Sequence, residues 1–499
     1  MYLMNAKQRP FISILLLLLV AVVVYYPVFL NTYAYTDESA GLWQFRTGNE
    51  HTLIQFGRLI TEKMAVRLFG SINTINELLF IRLFSFCGWL LSVPVWYFII
   101  KKICNRESLP DSMPFLATLF LICMPAVTSS IVWSACFEMF LANTAGLVSG
   151  YFLYAAIKFE NGRVEVGSKF LIISIALGVV SLFTYQNCFG CFLLPFALQL
   201  IANNKINRSV IIGVVMYFVI LVVYYMLYKY SLKAYGIGPN DRTAFNTNVP
   251  RKLLYFLVMP LKSSFLFNVI LNEVSIVGFV AYIVVAAGVL ILYFFQQRKM
   301  AVSDSVKTLL CLVLLFILIY FPSLIAKENY ASNRTLFALN MAVFLSVFTI
   351  IANAFKKQKA LFAFVIAGAI FFAGNAFYNV RCQFLKPVVN EFAQVKNFLI
   401  SNYHNDIDTV YFIRPHQDFF EKKYGINRSW DEFGVPSTFF DWTPIFLTKL
   451  LIYERTNDRA LAEKIVVKSW LGKEEFENAK PVLSKNTLLV DVEDILSND

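Results

Sequence analysis

Long apolar runs alternate along this chain with short clusters of Lys and Arg, a pattern that admits little except a bundle of membrane-spanning helices. The first run, 11–30, is about 20 residues, enough to cross the hydrocarbon core as a helix. Ten more follow at about 78–100, 113–132, 139–157, 169–185, 188–202, 209–229, 273–295, 306–326, 335–354 and 360–379. Only 15% of the 499 residues are charged, against roughly 25% in soluble domains. A net charge of +12 would suggest nucleic acid in a soluble chain. Here much of the excess marks cytoplasmic loops, and no nucleic-acid partner is expected.

Lys7 and Arg9 precede a run too long for an ordinary signal peptide, with no small-x-small cleavage site after it, so it reads as an uncleaved first helix. Basic clusters close the second, fourth, sixth, eighth and tenth runs, among them Lys101-Lys102 and Lys356, Lys357 and Lys359, while the tips at 133–138 and 186–187 carry none. The positive-inside rule then puts the N-terminus in the cytoplasm. An odd number of spans puts 380–499 outside, on the same face as 31–77, 230–272 and 327–334. The expected organisation is a transmembrane domain, 1–379, with an outer loop at 31–77, and a small α/β domain at 380–499. In that tail Phe392, Val395 and Leu399 fit one helix face, as do Ile445, Lys449, Leu450 and Tyr453; 409–413 and 487–492 read as strands. Three His and eight scattered Cys give no metal cluster, and Cys188-x-x-Cys191 reads as buried thiols. A disulfide among Cys136, Cys188, Cys191 and Cys382 requires an oxidising compartment.

Chemistry concentrates in 35–70. Asp37 and Glu38 sit where the chain leaves the first span, with Thr36 placed to cap a helix whose first turn favours acids. Between Leu53 and Phe69 apolar residues are interrupted by Arg58, Glu62, Lys63 and Arg67, which suits a helix in the interface plane. A first span ending in an acidic pair, then a loop with Gly57-Arg58, resembles the membrane glycosyltransferases of the GT-C fold. Within them it is most similar to the serotype-converting glucosyltransferases (the Gtr family) that decorate bacterial O-antigen.

The resemblance implies an inverting glycosyltransferase in the bacterial inner membrane. It would move glucose from polyprenyl phosphate to a lipid-linked O-antigen on the periplasmic face, with membrane partners that make and flip the donor. No cofactor or metal is expected. Asp37, or Glu38 beside it, would be the base that takes the acceptor's proton. Arg58 and Arg334 would clamp the leaving phosphate, and the tail would help to hold the acceptor glycan. Glu138, at an outer tip, either binds a sugar hydroxyl or pairs with an arginine; Tyr185 and Gln186 fit sugar binding, though Tyr is also an ordinary interfacial anchor. For every one of these residues a structural role stands beside the functional one: a helix-end acid, a snorkelling cation, a membrane anchor. Arg251-Lys252 and Lys262 are weaker candidates. Glycosylation sequons at Asn207, Asn333 and Asn427 fall on both faces and read as chance.

The rival reading is a transporter or flippase of lipid-linked sugars, which would need charges near mid-membrane and repeated halves. Arg82 is the one charge placed at mid-depth, and no repeat is visible. A further rival is a non-catalytic membrane scaffold.

Overall fold

A computed structural model describes residues 9–45, 51–160, 163–246, 248–267, 276–298, 301–355, 357–426 and 433–497. Lys7 and the Asn427 sequon lie outside the described residues. α1 (Arg9–Tyr25) runs into a 3₁₀ turn, Tyr26–Leu30, and three short helices follow: α2 (Asp37–Gln44), α3 (Thr52–Gln55) and α4 (Leu59–Gly70). The bundle continues with α5 (Leu78–Glu107), α6 (Met113–Cys123), α7 (Pro125–Val132), α8 (Met139–Ala156), α9 (Ser168–Thr184), α10 (Leu194–Asn203) and α11 (Arg208–Tyr235). Next come α12 (Val249–Val258), α13 (Pro260–Phe265), α14 (Ile276–Gln296), α15 (Val302–Ile319), α16 (Phe321–Ile325), α17 (Asn333–Ala354) and α18 (Gln358–Tyr378). Between α8 and α9 a hairpin that the sequence reading did not foresee pairs β1 (Ile157–Glu160) with β2 (Arg163–Val166).

Among the described residues eight helices are long and apolar enough to cross a membrane, or nine if α6 and α7, bent by 46°, form one span. The chain is thus a multi-pass membrane protein. The bend falls at Pro125, which lacks an N–H and holds Met124 extended. The fifth and sixth apolar runs differ from ordinary spans. α9 has 17 residues, and the return begins as a 3₁₀ segment, Gln186–Leu193, before α10. The cause is close backbone contact. A Cβ at Gly150 of α8 would meet the Phe192 carbonyl oxygen at 2.0 Å, and one at Gly146 would meet that of Cys188 at 2.9 Å. Small residues one turn apart thus let an irregular backbone lie directly on a helix. Cys188 and Cys191 are buried free thiols there.

Alternate ends of the spans gather on two faces. On one, Tyr33 donates to the Val132 carbonyl at 2.7 Å and Thr61 to that of Thr184 at 2.6 Å. On the other, the Glu107 carboxylate accepts from Tyr154, from Gln199 at 3.3 Å and from Asn203 at 2.5 Å. Arg82 is not at mid-depth. It lies in the second turn of α5, and its guanidinium reaches back to the loop at the helix mouth.

The tail grows out of the bundle without a break. α18 passes through a π-helical turn, Asn379–Leu385, into α19 (Lys386–Asn402), so position 380 falls inside one continuous helix. Beyond it lie β3 (Thr409–Arg414), α20 (Phe419–Tyr424), α21 (Trp442–Thr456), α22 (Arg459–Lys464), β4 (Val466–Leu471), α23 (Gly472–Ala479), β5 (Thr487–Asp491) and α24 (Val492–Ser497). The sheet is parallel, in the order β4-β3-β5. Its central strand is buried on both faces, as parallel sheets require. β4 escaped the sequence reading because its alternation of Val, Lys, Ser and Trp at an edge is weakly apolar.

The glycine groove yields a paired expectation. Gly150→Ala forces a backbone shift and should destabilise by about 1–3 kcal/mol. Gly374→Ala, with nothing within 4 Å of the added carbon, should be neutral or slightly stabilising. Thermal unfolding of both variants in detergent checks this; equal melting temperatures would remove the groove as the reason for the broken span.

Candidate active site

The site is built where α1 ends and the tail returns. Tyr33, Tyr35 and Thr36 are buried in the connection to α2. Thr36 does not cap α2 as expected; it makes no side-chain cap bond, and its hydroxyl is buried without a hydrogen-bond partner among the described residues. Its φ of +42° is a left-handed conformation that a β-branched residue adopts only under constraint, at a cost on the order of 1–3 kcal/mol. The constraint comes from the tail, whose Ser437 hydroxyl accepts the Thr36 N–H at 2.7 Å. Ser437 and Thr438 in turn donate their backbone N–H groups to the buried Glu391 carboxylate at 2.8 and 2.9 Å.

This twist sends Asp37 and Glu38 in different directions. Glu38 is 0% exposed. One of its oxygens accepts from Arg82 at 2.5 Å and from the Tyr35 N–H at 2.7 Å; the other accepts from the Ser134 N–H. Arg82 also donates to the Tyr33 carbonyl at 3.0 Å and lies over the Tyr33 ring at 3.7 Å. That carboxylate is saturated and dry, which is the geometry of a structural anchor.

Asp37 is half-buried, with the Trp442 indole N–H in hydrogen-bonding reach and Arg334 and Arg242 in electrostatic reach. Burial raises its carboxyl above the ordinary value, against the opposing pull of Arg334, Trp442 and Arg242.

Two aromatic rings seat the flanking arginines. Arg58 lies over Tyr185 at 4.1 Å, and its Nε is buried with no hydrogen-bond partner among the described residues. Arg334 lies over Trp133 at 4.3 Å and reaches Cys136 Sγ and the Tyr330 hydroxyl at 3.2 and 3.3 Å. Cation–π seating fixes a guanidinium without consuming its N–H donors. Glu138, 2% exposed, lies in electrostatic reach of both arginines, and its Oε2 has no hydrogen-bond partner among the described residues.

Gln186 acts on the loop that carries Arg58. Its amide donates to the Phe56 carbonyl at 2.7 Å and to the Tyr224 hydroxyl at 2.8 Å, and Tyr224 donates to the Gly57 carbonyl at 3.1 Å. Gly57 has φ +78°, and a Cβ there would lie 2.2 Å from the Tyr224 hydroxyl, so only glycine fits. Lys252 is committed elsewhere, donating to the Ala326 carbonyl at 2.5 Å and that of Glu328 at 3.2 Å. Lys262 is buried in α13. The Asn333 sequon is buried at the start of α17, where Ser332 and Thr335 form a capping box.

Asp37, Arg58, Glu138, Tyr185 and Arg334 therefore belong to one neighbourhood, with Gln186 behind it. Sequence reasoning missed Trp133, Arg242 and Trp442. The aromatic run Phe439-Phe440-Asp441-Trp442 in an otherwise polar tail was the available signal for the last of these.

No family model matches this chain, and no curated protein does. Among solved structures, 85% of the chain is similar to the arabinofuranosyltransferase AftD from Mycobacteria, solved by cryo-EM, at 12% identity and a TM-score of 0.39. The chain spans about a third of that protein, 31% of its length.

Breaking a buried ion pair by removing one partner typically costs about 3–5 kcal/mol. Arg82→Ala and Glu38→Ala should each lower the melting temperature markedly in detergent, whereas Asp37→Asn should melt close to wild type. A destabilised Asp37→Asn beside intact Glu38 and Arg82 variants would reverse the roles given to the two acids.

Proposed function

We propose that this protein is an inverting glycosyltransferase that moves a sugar, glucose in the reading the sequence resemblance favours, from polyprenyl phosphate to a lipid-linked surface glycan such as O-antigen. One observation carries the reading. A half-buried carboxylate lies in electrostatic reach of two arginines, and beside them lie a buried Arg58 Nε and a buried Glu138 Oε2 with no hydrogen-bond partner among the described residues. Buried polar groups are rarely left unpaired. A sugar phosphate supplies phosphate oxygens for the arginine and a hydroxyl for the glutamate.

Asp37 accepts the proton of the acceptor hydroxyl. The acceptor oxygen bonds to the anomeric carbon as the bond from that carbon to the phosphate oxygen breaks, which inverts the centre. The electron pair leaves on the phosphate, whose charge Arg58 and Arg334 stabilise. Tyr185 and Trp133 hold those guanidinium groups by their faces, and Gln186 fixes the Gly57 turn. Glu38 is a positioning residue; through Arg82 it sets the start of α2 and with it the Asp37 side chain. The basic clusters support a cytoplasmic Glu107 face, with the site and tail on the periplasmic side of the inner membrane.

Asp37→Asn should lower transfer by about 10²–10⁴-fold, assayed with purified protein, polyprenyl-phosphate glucose and a lipid-linked acceptor. EDTA should leave the rate nearly unchanged. Since the base must be ionised and burial raises its pKa above 3.8, the rate should fall as pH drops through that raised value. An active Asp37→Asn variant would overturn the mechanism. Passage of lipid-linked sugar across proteoliposomes with no covalent transfer would establish the rival transporter.

A further inference from the structure

The tail sends one residue to the catalytic carboxylate, and that residue is an exposed aromatic. Trp442, 37% exposed, opens α21. Its ring stacks on Phe440 at 4.9 Å with 30° between planes, and Phe440 meets Phe439 edge-on at 5.3 Å. Both Phe439 and Phe440 are half-buried. An aromatic ring at a surface offers apolar area that a ligand can cover, and here the indole N–H of one lies in hydrogen-bonding reach of Asp37.

The segment is held rigidly. Arg414, the last residue of the central strand, donates to the Phe439 carbonyl at 2.5 Å. Glu391 grips Ser437 and Thr438 from below. The aromatic segment thus stands outside the carboxyl end of β3, the edge where open parallel sheets ordinarily bind ligands. A pyranose ring has an apolar C–H face and a polar hydroxyl rim. An aromatic plane takes the face, and a neighbouring carboxylate takes a hydroxyl at the rim.

We propose that the outer face of Trp442, backed by Phe440, forms the platform on which the acceptor sugar stacks, so that the tail presents the acceptor hydroxyl to Asp37. The inference rests on the glycosyltransferase reading and adds the acceptor subsite to it. Trp442 has two separable jobs, ring stacking and donation of its indole N–H to Asp37. The charged groups facing Asp37 are Arg334 from α17 and Arg242 from the 241–243 turn; Glu38 beside it is bound to Arg82, and Asp441, next to Trp442, is exposed.

Steady-state kinetics of the full-length protein separate the two jobs, with polyprenyl-phosphate glucose as donor and a lipid-linked O-antigen repeat as acceptor. Phe440→Ala should raise acceptor KM about two- to tenfold, the range of one aromatic contact, and leave donor KM unchanged. Trp442→Phe keeps a ring and loses the N–H. Acceptor KM should hold, while the acid limb of kcat moves to higher pH because a hydrogen bond favouring the ionised carboxylate is gone. Trp442→Ala should show both effects. Unchanged acceptor KM in Phe440→Ala and Trp442→Ala would overturn the platform, as would a rise in donor KM of the same size. Binding of the acceptor glycan without donor, followed by isothermal titration calorimetry, tests the platform apart from the reaction. If wild type binds glycan and Trp442→Ala and Phe440→Ala do not, the platform stands even when no transfer occurs and the glycosyltransferase reading falls. Equal glycan binding by wild type and both variants would remove the platform whatever the transfer assay shows.

Discussion

A carboxylate and a guanidinium in full burial, Glu38 and Arg82 at 2.5 Å, hold the start of α2 to the mouth of α5. Taking two charges out of water is costly, and such a pair is tolerable only where further hydrogen bonds fill its remaining valences. The Tyr35 and Ser134 N–H groups and the Tyr33 carbonyl fill most of them, and the Tyr33 ring covers the guanidinium. Those partners come from the 33–35 connection and from Ser134, between α7 and α8. The ion pair therefore fixes where the first span hands over to α2, and Asp37 takes its direction from that fixed point.

The second constraint comes from outside the bundle. Thr36 sits in a conformation its side chain disfavours, and the tail supplies the hydrogen bond that holds it there. The tail is placed by the continuous helix from α18 to α19. The π-helical turn in that helix turns Phe384 under Tyr33 and Tyr35, with ring centroids at 5.9 and 4.9 Å. Insertions of this kind recur at functional sites. Further grips join the same two bodies: Ile75 N–H donates to Glu454 at 2.6 Å, Trp43 donates to Glu463 at 3.0 Å, and Arg459 covers the Trp43 ring at 4.4 Å. Motion of the tail relative to the bundle would move Thr36, and with it the carboxylate next in sequence.

Much of the architecture was legible because membrane burial is read one segment at a time. A run of twenty apolar residues has few ways to satisfy its backbone other than a helix. The tail's helix faces and two of its three strands were legible for the same reason, each being locally periodic. The broken span at 186–193 was not, since it depends on Gly146 and Gly150 meeting a backbone more than forty residues away. Nor was the role of Gln186, whose partners at Phe56 and Tyr224 lie 130 and 38 residues away.

At the site the division is sharper. Sequence alone determined that acids and arginines crowd the ends of apolar runs, because charge is excluded from hydrocarbon and collects where the chain leaves it. It had no means of separating Asp37 from Glu38. Adjacent residues on a helix point about 100° apart, so which of two acids faces solvent depends on what packs against each side. Tertiary structure decided it: Arg82, 44 residues on, took Glu38 into the core, and Trp442, from a separate α/β unit, was brought to Asp37. Hydrogen bonds and cation–π contacts act over a few ångströms whatever the distance along the chain, so only the folded arrangement could assign them.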